Sequence, residues 1–237
     1  MPNSQTLNKA DVPQAFNRVA KRYDLMTALS PGYGKSLRRS ATRLALTPEK
    51  ACVLDVCCGT GASTQAILDV FPHARPTGLD GSESMLAVAR KRFALKPVAW
   101  RLGLSESLSA TFAAQRFDAV FTAFGLRNAE SPKRMLEEAR AVLAPGGRIV
   151  VHDYILDGKA LSRLRWEALC RGIIEPMGLV MTRERQLFRY LRQSVIDFGT
   201  VAEVTALMRD VGASNVTFES QPGWLNGLLG TWSLTFP

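Results

Sequence analysis

The chain has 237 residues, 46% of them hydrophobic, with a net charge of +9 and two histidines. This size predicts one α/β domain with additions, or at most two small domains. No apolar run is long enough to span a bilayer and residues 1–9 do not resemble a signal peptide, so we expect a soluble, cytoplasmic protein. Two histidines exclude a histidine-rich metal site, and the four cysteines lack metal-ligand spacing.

Two basic helices are predicted near the amino terminus, after a lead-in over residues 1–12 that we expect to be disordered. Apolar residues recur at helical spacing over residues 12–23 and again over residues 35–46, with arginines and lysines between them. Both segments precede the first core strand. We therefore expect them to pack onto the ligand-binding end of a sheet or to lie on a surface.

Residues 53–61, with the sequence VLDVCCGTG, predict a strand followed by a tight turn. The apolar run ends abruptly at Gly59-Thr60-Gly61, and apolar residues then recur at helical spacing over residues 62–71. Glycine suits such a turn because a Cβ atom would keep the backbone away from a ligand, and because some turn positions need positive φ. The segment is therefore interpreted as the opening of a nucleotide-binding α/β unit.

Two cofactor classes use a glycine turn of this kind. Dinucleotide binding favours G-x-G-x-x-G, but the position of the third glycine is Thr64. An S-adenosylmethionine site instead has an acid inside the strand, which Asp55 supplies. Asp80 closes a second apolar strand about 20 residues after the turn, where both classes hold a ribose diol. Asp55 and Thr64 therefore favour the methyl donor.

Strands and helices alternate through the middle of the chain. Helices are predicted over residues 82–93 and from Pro132, and strands over 98–102, 117–123 and 148–152. This alternation predicts a Rossmann-like, doubly wound, mostly parallel sheet with right-handed crossovers. Ligands then bind outside the carboxyl ends of the strands, where Gly59, Asp80 and Ala123 fall.

The last third of the chain is predicted to be helical and basic, and to end in two strands. The helices are expected over residues 159–172, 182–198 and 201–211, and the strands over 214–219 and 231–236. The predicted units are an N-terminal helical cap at 1–45, an S-adenosylmethionine-binding core at 46–158, a helical substrate cap at 159–200, and a helix with an antiparallel strand pair at 201–237.

Three stretches resemble one family of methyltransferases: FNRVAKRYDLM at 16–26, FGLRN at 124–128 and AVLAPGGRIVV at 141–151. With the glycine turn, they make the chain similar to class I S-adenosylmethionine-dependent methyltransferases, and more narrowly to the ubiquinone/menaquinone biosynthesis C-methyltransferases. The resemblance implies a seven-stranded sheet whose last strand runs antiparallel. It also implies S-adenosylmethionine as the cofactor and a hydroquinone or naphthoquinol ring as the acceptor.

The turn and the resemblance together predict a donor site. Its members are Asp55, Cys57, Gly59, Thr60, Gly61, Asp80, Gly81, Met85, Leu104, Ser105 and Ala123. Leu104 departs from the family, which usually has Asp or Asn there, beside the adenine amino group. We therefore expect adenine recognition to use backbone groups, Ser105 or a nearby side chain.

Arg127 and Tyr23 are the predicted catalytic residues. A hydroquinone must lose a hydroxyl proton before its ring carbon is methylated, and Arg127 would stabilise the resulting phenolate. The alternative is an arginine that only holds a loop carbonyl. We expect Arg127→Ala to lower turnover and to leave stability nearly unchanged. Tyr23 either orients the substrate oxygen or caps the pocket, and His152 is either a general base or, as we prefer, a structural histidine.

Two other functions are considered. Nucleic-acid methylation is disfavoured because AFGLRN, rather than a Pro-Pro-aromatic motif, follows the fourth strand, and no stacking aromatics interleave with the basic helices. Methylation of a soluble aromatic metabolite stays open because the acceptor side departs from the family. The departures are at Thr27, Gly34, Leu37, Asp153 and Ile155, and in residues 223–237.

A basic surface and a lipid-soluble acceptor suggest peripheral docking on an anionic membrane. The basic helices near residues 35–43 and 159–171 would supply the charge, with Trp166, Trp224 and Trp232 as interfacial anchors. A homodimer is compatible with the sequence.

Overall fold

A seven-stranded sheet forms the centre of the computed structural model, which describes residues 7–28, 30, 32–47 and 51–237. Its strands are β1 (Cys52–Val56), β2 (Arg75–Asp80), β3 (Ala99–Leu102), β4 (Phe117–Ala123), β5 (Leu143–Tyr154), β6 (Asn215–Ser220) and β7 (Leu229–Thr235). Their spatial order is β3-β2-β1-β4-β5-β7-β6. β7 runs antiparallel to β5 and β6, and the other pairs are parallel. The predicted Rossmann-like sheet is confirmed.

Helices cover both faces and the ligand-binding end of this sheet. They are α1 (Val12–Ala28), α2 (Tyr33–Ala41), α3 (Ala62–Val70), α4 (Glu83–Arg92), α5 (Leu108–Phe112), α6 (Pro132–Ala141), α7 (Ala160–Leu169), α8 (Glu175–Thr182), α9 (Arg185–Asp197) and α10 (Val201–Asp210). Local sequence sets several starts. Ser82 and Ser131 accept hydrogen bonds from N–H groups three residues on, and a reciprocal Thr200–Glu203 capping box starts α10.

Strand β1 is apolar throughout, apart from Asp55, because it is buried on both sides. Val53 packs in the core cluster that α2 and α3 complete, whereas Leu54 and Val56 pack in the cluster that α6 and α10 complete. Side chains alternate across a strand, so two covering layers demand apolar residues at successive positions. The chain order reverses between β1 and β4, which places a crevice at their carboxyl ends.

Helices α1, α8 and α9 form a cap over that crevice. Val19 and Ala20 of α1 pack with Met85 of α4 and with Leu187 and Phe188 of α9 in a separate buried cluster. The cap therefore has its own apolar core, distinct from the two cores that flank the sheet.

Helix α8 was not predicted, because the two helices expected at 159–172 and 182–198 left the residues between them unassigned. Residues 160–182 are helical throughout, with a π-helical turn at Cys170–Ile174 between α7 and α8. Pro176 is tolerated because it lies in the first turn of α8. Gly178 is required because a Cβ there would collide with the Phe188 ring.

Three other boundaries differ from the predictions. Residues 7–11 are ordered, and Lys9 donates a 2.9 Å hydrogen bond to the Ala129 carbonyl; residues 1–6 of the expected lead-in lie outside the described residues. Helix α2 ends at Ala41, and a 3₁₀ turn follows at Thr42–Leu44. Strand β5 is longer than expected because residues on both sides of the predicted 148–152 segment also pair.

Candidate active site

A first cavity of about 280 Å³ opens where β1, β2 and β4 end. Nine of the predicted donor residues line it: Cys57, Gly59, Thr60, Asp80, Gly81, Met85, Leu104, Ser105 and Ala123. Both predicted catalytic residues, Tyr23 and Arg127, line it as well. Asp55 and Gly61 are absent from its walls. The structure thus brings together most of the residues that the sequence predicted.

Asp80 ties the glycine turn to the neighbouring strand. Its two carboxylate oxygens accept hydrogen bonds from the Gly59 and Ser82 N–H groups, each at 2.8 Å. Burial raises the pKa of Asp80 to about 6, although these two hydrogen bonds oppose the shift. Asp80 is therefore a carboxylate in the cavity wall and an anchor of the turn, a second role that its position in the sequence did not reveal.

Asp55 lies behind the turn rather than in the cavity. Its side chain is fully buried and accepts hydrogen bonds from the Ser63 and Thr64 hydroxyls at 2.8 and 2.5 Å. Burial raises the pKa of Asp55 to about 7. The threonine that breaks the dinucleotide pattern is thus the partner of this acid. The pair fixes the first turn of α3 against β1.

Gly61 is explained by packing. A Cβ there would lie 2.6 Å from Phe93 Cε2, and the residue has a φ of +85°. Gly59 differs, because a Cβ there would meet no atom within 4 Å. Gly59 itself lines the first cavity. Only the first of the two turn glycines keeps space open for a ligand.

A carboxylate that sequence analysis missed lies beside Leu104. Leu104 is half-exposed at the rim of the first cavity, whereas Ser105 is buried and donates a 2.7 Å hydrogen bond to Glu106. Glu106 lines the cavity and also accepts the Glu130 N–H at 2.7 Å. A carboxylate therefore lies in the cavity wall two residues after Leu104.

A second cavity of about 90 Å³ adjoins the first beneath the cap. Apolar side chains from α8 and α9 and aromatic rings from α1, α2, β5 and the turn after β4 form most of its walls. The two cavities share Phe16, Tyr23, Tyr33, Phe124, Arg127 and Asn128. Tyr23 packs edge-on against Phe16, with ring centroids 5.7 Å apart. A ligand in the first cavity thus faces an aromatic chamber through these shared residues.

Arg127 is buried in that shared wall. Its guanidinium forms an ion pair with the fully buried Asp153 and lies 5.7 Å from the centre of the Tyr154 ring. The Arg127 N–H donates a 3.2 Å hydrogen bond to the same carboxylate, and its Nη1 donates to the Phe124 carbonyl at 3.3 Å. Burial raises the pKa of Asp153, and the guanidinium opposes that shift. Arg127 is held in place on several sides.

Three buried polar atoms at the second cavity have no hydrogen-bond partner among the described residues. They are Arg127 Nε, Asn128 Oδ1 and Tyr190 Oη. The Asn128 amide donates to the Phe124 carbonyl at 2.8 Å, which leaves its oxygen unpaired. Buried polar groups normally have partners, so such a cluster indicates a polar ligand. Tyr190 was not predicted, since a tyrosine in a cap helix has no local signal.

His152 does not line either cavity. It is fully buried, its Nδ1 lies 2.9 Å from Thr231 Oγ1, and burial lowers its pKa to about 3. The ring packs edge-on against Phe124. These contacts match the structural interpretation and give the imidazole no access to a substrate.

The parallel sheet, the antiparallel last strand and the glycine turn at the crevice define a class I S-adenosylmethionine-dependent methyltransferase. Solved methyltransferases share this fold. Phosphoethanolamine N-methyltransferase 2 of Haemonchus contortus, in complex with S-adenosyl-L-methionine, aligns with a TM-score of 0.68 at 15% identity, over 100% of this chain and 61% of that one. The plantazolicin methyltransferase BamL, in complex with S-adenosylhomocysteine, aligns at 0.65 and 16% identity, over 95% and 96%.

Sequence comparison gives the family. Residues 4–228 match the model of the ubiE/COQ5 methyltransferase family, to which this chain belongs. It is 33% identical over 230 residues to the ubiquinone/menaquinone biosynthesis C-methyltransferase UbiE of Agrobacterium fabrum, covering 94% of this chain and 88% of that protein. It is 32% identical over 200 residues to the demethylmenaquinone methyltransferase of Thermus thermophilus, covering 84% and 91%.

Proposed function

We propose that this enzyme transfers the methyl group of S-adenosylmethionine to a ring carbon of a hydroquinone. The observation that carries the proposal is Arg127, a buried guanidinium in the wall shared by the two cavities. A fixed positive charge there would lie between a bound donor and an aromatic acceptor. The names of the related proteins point to quinone biosynthesis for those proteins, and the aromatic second cavity supports the same acceptor class here.

We assign the first cavity to the methyl donor. The Asp80 carboxylate suits a ribose diol, the open space at Gly59 admits a ligand close to the backbone, and Glu106 suits the adenine amino group. Asp55 and Gly61 support the turn without touching the donor. When bound there, S-adenosylmethionine supplies an electrophilic methyl group on a sulfonium.

We assign the second cavity to the acceptor ring. Its apolar and aromatic walls would bury a flat ring, and the three unpaired polar atoms would meet ring oxygens. Tyr23 is assigned to position the ring at the passage between the cavities. In this scheme residues 46–158 hold the donor, and the acceptor lies between the helices of residues 1–45 and 159–200 and the segment at 124–128.

The reaction then follows from charge and alignment. A guanidinium does not take up a proton, so the proton of the acceptor hydroxyl leaves to water while Arg127 stabilises the phenolate. The negative charge delocalises onto the neighbouring ring carbon, which becomes the nucleophile. That carbon would take the methyl group as the methyl–sulfur bond breaks and S-adenosylhomocysteine leaves, and the proton on the same carbon would then pass to water, which restores the aromatic ring. Asp153 keeps the guanidinium oriented. Holding the ring against the first cavity supplies much of the remaining acceleration.

We also propose that the enzyme works at an anionic membrane surface, because a hydroquinone with a polyprenyl tail is dissolved in the bilayer. Among the described residues, no helix combines the length and apolar character needed to cross a membrane. Two of the expected anchors are wrong, since Trp166 and Trp232 are fully buried in the core. Trp224 is half-exposed.

Product analysis tests the proposed reaction. The protein is incubated with S-adenosylmethionine carrying a ¹³C-methyl group and with a reduced, demethylated naphthoquinone. We expect an aryl C–CH₃ signal in the ¹³C spectrum and no aryl O–CH₃ signal. An O-methyl product, or transfer only to soluble aromatic metabolites, would contradict the proposal.

A further inference from the structure

The cap has apolar residues on the side that faces solvent as well as on the side that packs against the rest of the protein. Residues 160–182 form one helical segment whose inner side is buried through Trp166, Cys170 and Gly178. On the opposite side, most of the exposed positions are apolar. We call this the outer face; its main members are Leu161, Leu164, Ala168, Ile173, Leu179 and Val180. Exposed patches of this kind mark interaction surfaces.

The spacing shows that these residues share one side of the helix. Leu161, Leu164 and Ala168 recur at intervals of three and four, and after the π-helical turn Leu179 and Val180 return to the same side. Leu164 is 66% exposed and Val180 is 81% exposed. Arg165 of α7 donates hydrogen bonds to the carbonyls of Trp224 and Asn226, which places the half-exposed Trp224 next to α7.

Positive charge surrounds the outer face. Residues 159–200 contain eight lysines and arginines against four aspartates and glutamates. Arg163 and Arg171 flank the face, and both pair with the single Glu167, which leaves a net positive edge. Arg183, Arg185 and Arg189 are exposed beyond the end of α8. An apolar strip bordered by arginines is complementary to lipid tails beneath anionic headgroups.

The outer face is also continuous with the acceptor chamber. Ile173 is on the outer face, and the next residue, Ile174, lines the second cavity. Met177 of α8 lines the same cavity, while Leu179 and Val180 face outward. One short helical segment therefore separates the chamber from this surface. A ligand with an apolar tail would have a short path between the two.

We infer that the outer face is the surface on which the enzyme lies against an anionic lipid bilayer. This inference rests on the proposed function for its purpose, since a lipid-soluble acceptor must be reached from the membrane. It narrows the expected docking surface, which included basic helices near residues 35–43 and 159–171, to α7 and α8. The arginines of α2 and of the 3₁₀ turn after it agree with this choice of surface, because Arg39 and Arg43 pair with Glu219 and Arg38 lies 3.6 Å from Asp69.

Vesicle flotation with a matched set of variants tests the inference. The full chain is floated with vesicles of phosphatidylcholine containing about 30% phosphatidylglycerol and with pure phosphatidylcholine vesicles, at low and high salt. The test variant is Leu161→Gln/Leu164→Gln/Val180→Gln, which changes exposed side chains only. Leu95→Gln is the control, because Leu95 is fully exposed between α4 and β3.

We expect the wild type and Leu95→Gln to float with anionic vesicles at low salt. The triple variant should bind at least tenfold less while methylating a tail-less, water-soluble hydroquinone at the normal rate. Equal flotation of the triple variant, or no flotation of the wild type, would overturn the inference. Sedimentation velocity tests whether a second copy of this chain binds the outer face instead. If the wild type forms a dimer that the triple variant does not form, and neither binds vesicles, the inference would also be overturned.

The same set separates the two proposals. Normal flotation that the triple variant loses, without methylation of any hydroquinone, would support the docking surface and contradict the proposed reaction. Methylation of the water-soluble hydroquinone by a protein that does not bind vesicles would support the proposed reaction and contradict the docking surface.

Discussion

The two cavities of the active site are built in different ways. The first is made of strand ends and a glycine turn, and its key carboxylate, Asp80, already accepts two backbone hydrogen bonds. The second is made of cap helices, and it leaves Arg127 Nε, Asn128 Oδ1 and Tyr190 Oη unpaired among the described residues. The carboxylate that lines the donor cavity is thus already hydrogen-bonded, although Asp55 Oδ1 behind the turn is also unpaired among the described residues. The acceptor cavity has three unpaired polar atoms in its lining residues, which a polar ligand would satisfy.

This difference indicates that the first cavity serves donor affinity and the second serves the chemical step. Asp80 accepts two backbone hydrogen bonds, so the wall of the first cavity is preorganised without a ligand. Unpaired buried groups destabilise the fold by roughly 1–3 kcal/mol each, so their retention suggests a functional use. Substitutions at the two cavities should therefore have different signatures.

The largest expected effect is on stability, at the acceptor side. Arg127→Ala leaves Asp153 buried without its ion-pair partner, so the free energy of unfolding should fall by about 3–5 kcal/mol. This revises the expectation from sequence that stability would be nearly unchanged. Urea denaturation measures it, with Arg127→Met/Asp153→Asn as the control that removes both charges. If the single variant is as stable as the wild type, the pair is not formed in solution.

The next effect is on donor affinity. Asp80→Ala removes the proposed diol acceptor and the two hydrogen bonds that hold the turn, so S-adenosylmethionine should bind more than tenfold more weakly. Isothermal titration calorimetry gives the dissociation constant. Asp80→Asn keeps the shape of the side chain, so its dissociation constant should lie between those of the wild type and Asp80→Ala. Unchanged affinity in Asp80→Ala would separate the first cavity from the donor.

Donor affinity should also depend on pH. Burial raises the pKa of Asp80 to about 6, and a diol donates its hydrogen bonds to the ionised carboxylate. Acidification through that pKa protonates the group, so the dissociation constant should rise about tenfold between pH 7 and pH 5. The dependence should be absent in Asp80→Asn. A dissociation constant that stays flat in the wild type would contradict the assignment.

The smallest effect is at Tyr190. Tyr190→Phe removes one neutral hydrogen bond to a ring oxygen, worth about 1 kcal/mol, so KM for the acceptor should rise about fivefold. Donor affinity should not change. Steady-state kinetics with each substrate varied in turn separates the two constants. A change in donor affinity with no change in acceptor KM would show that the cap tyrosine does not meet the acceptor.

The same contrast explains what the sequence could predict. The donor side depends on residues close together in the chain, where strand, turn and helix have local signals; Gly59, Asp80 and the Ser82 cap were all readable. The roles of Asp55 and Gly61 were not, because they depend on Thr64 and Phe93 packing behind the turn.

The acceptor side depends on contacts between distant segments. The Arg127–Asp153 pair joins two strand ends, and Tyr190 reaches the chamber from a helix 63 residues beyond Arg127. Helix α8 escaped prediction because Pro176 and Gly178 normally end helices, whereas here position in the first turn and contact with Phe188 make them suitable.

The central claim is that the charge of Arg127 speeds the chemical step, and single-turnover kinetics tests it most directly. Arg127→Met/Asp153→Asn is compared with Asp153→Asn, which keeps the arginine, at saturating donor and acceptor. The account predicts that the double variant binds S-adenosylmethionine normally and transfers the methyl group about a hundredfold more slowly than Asp153→Asn. Equal single-turnover rates in the two variants would contradict it.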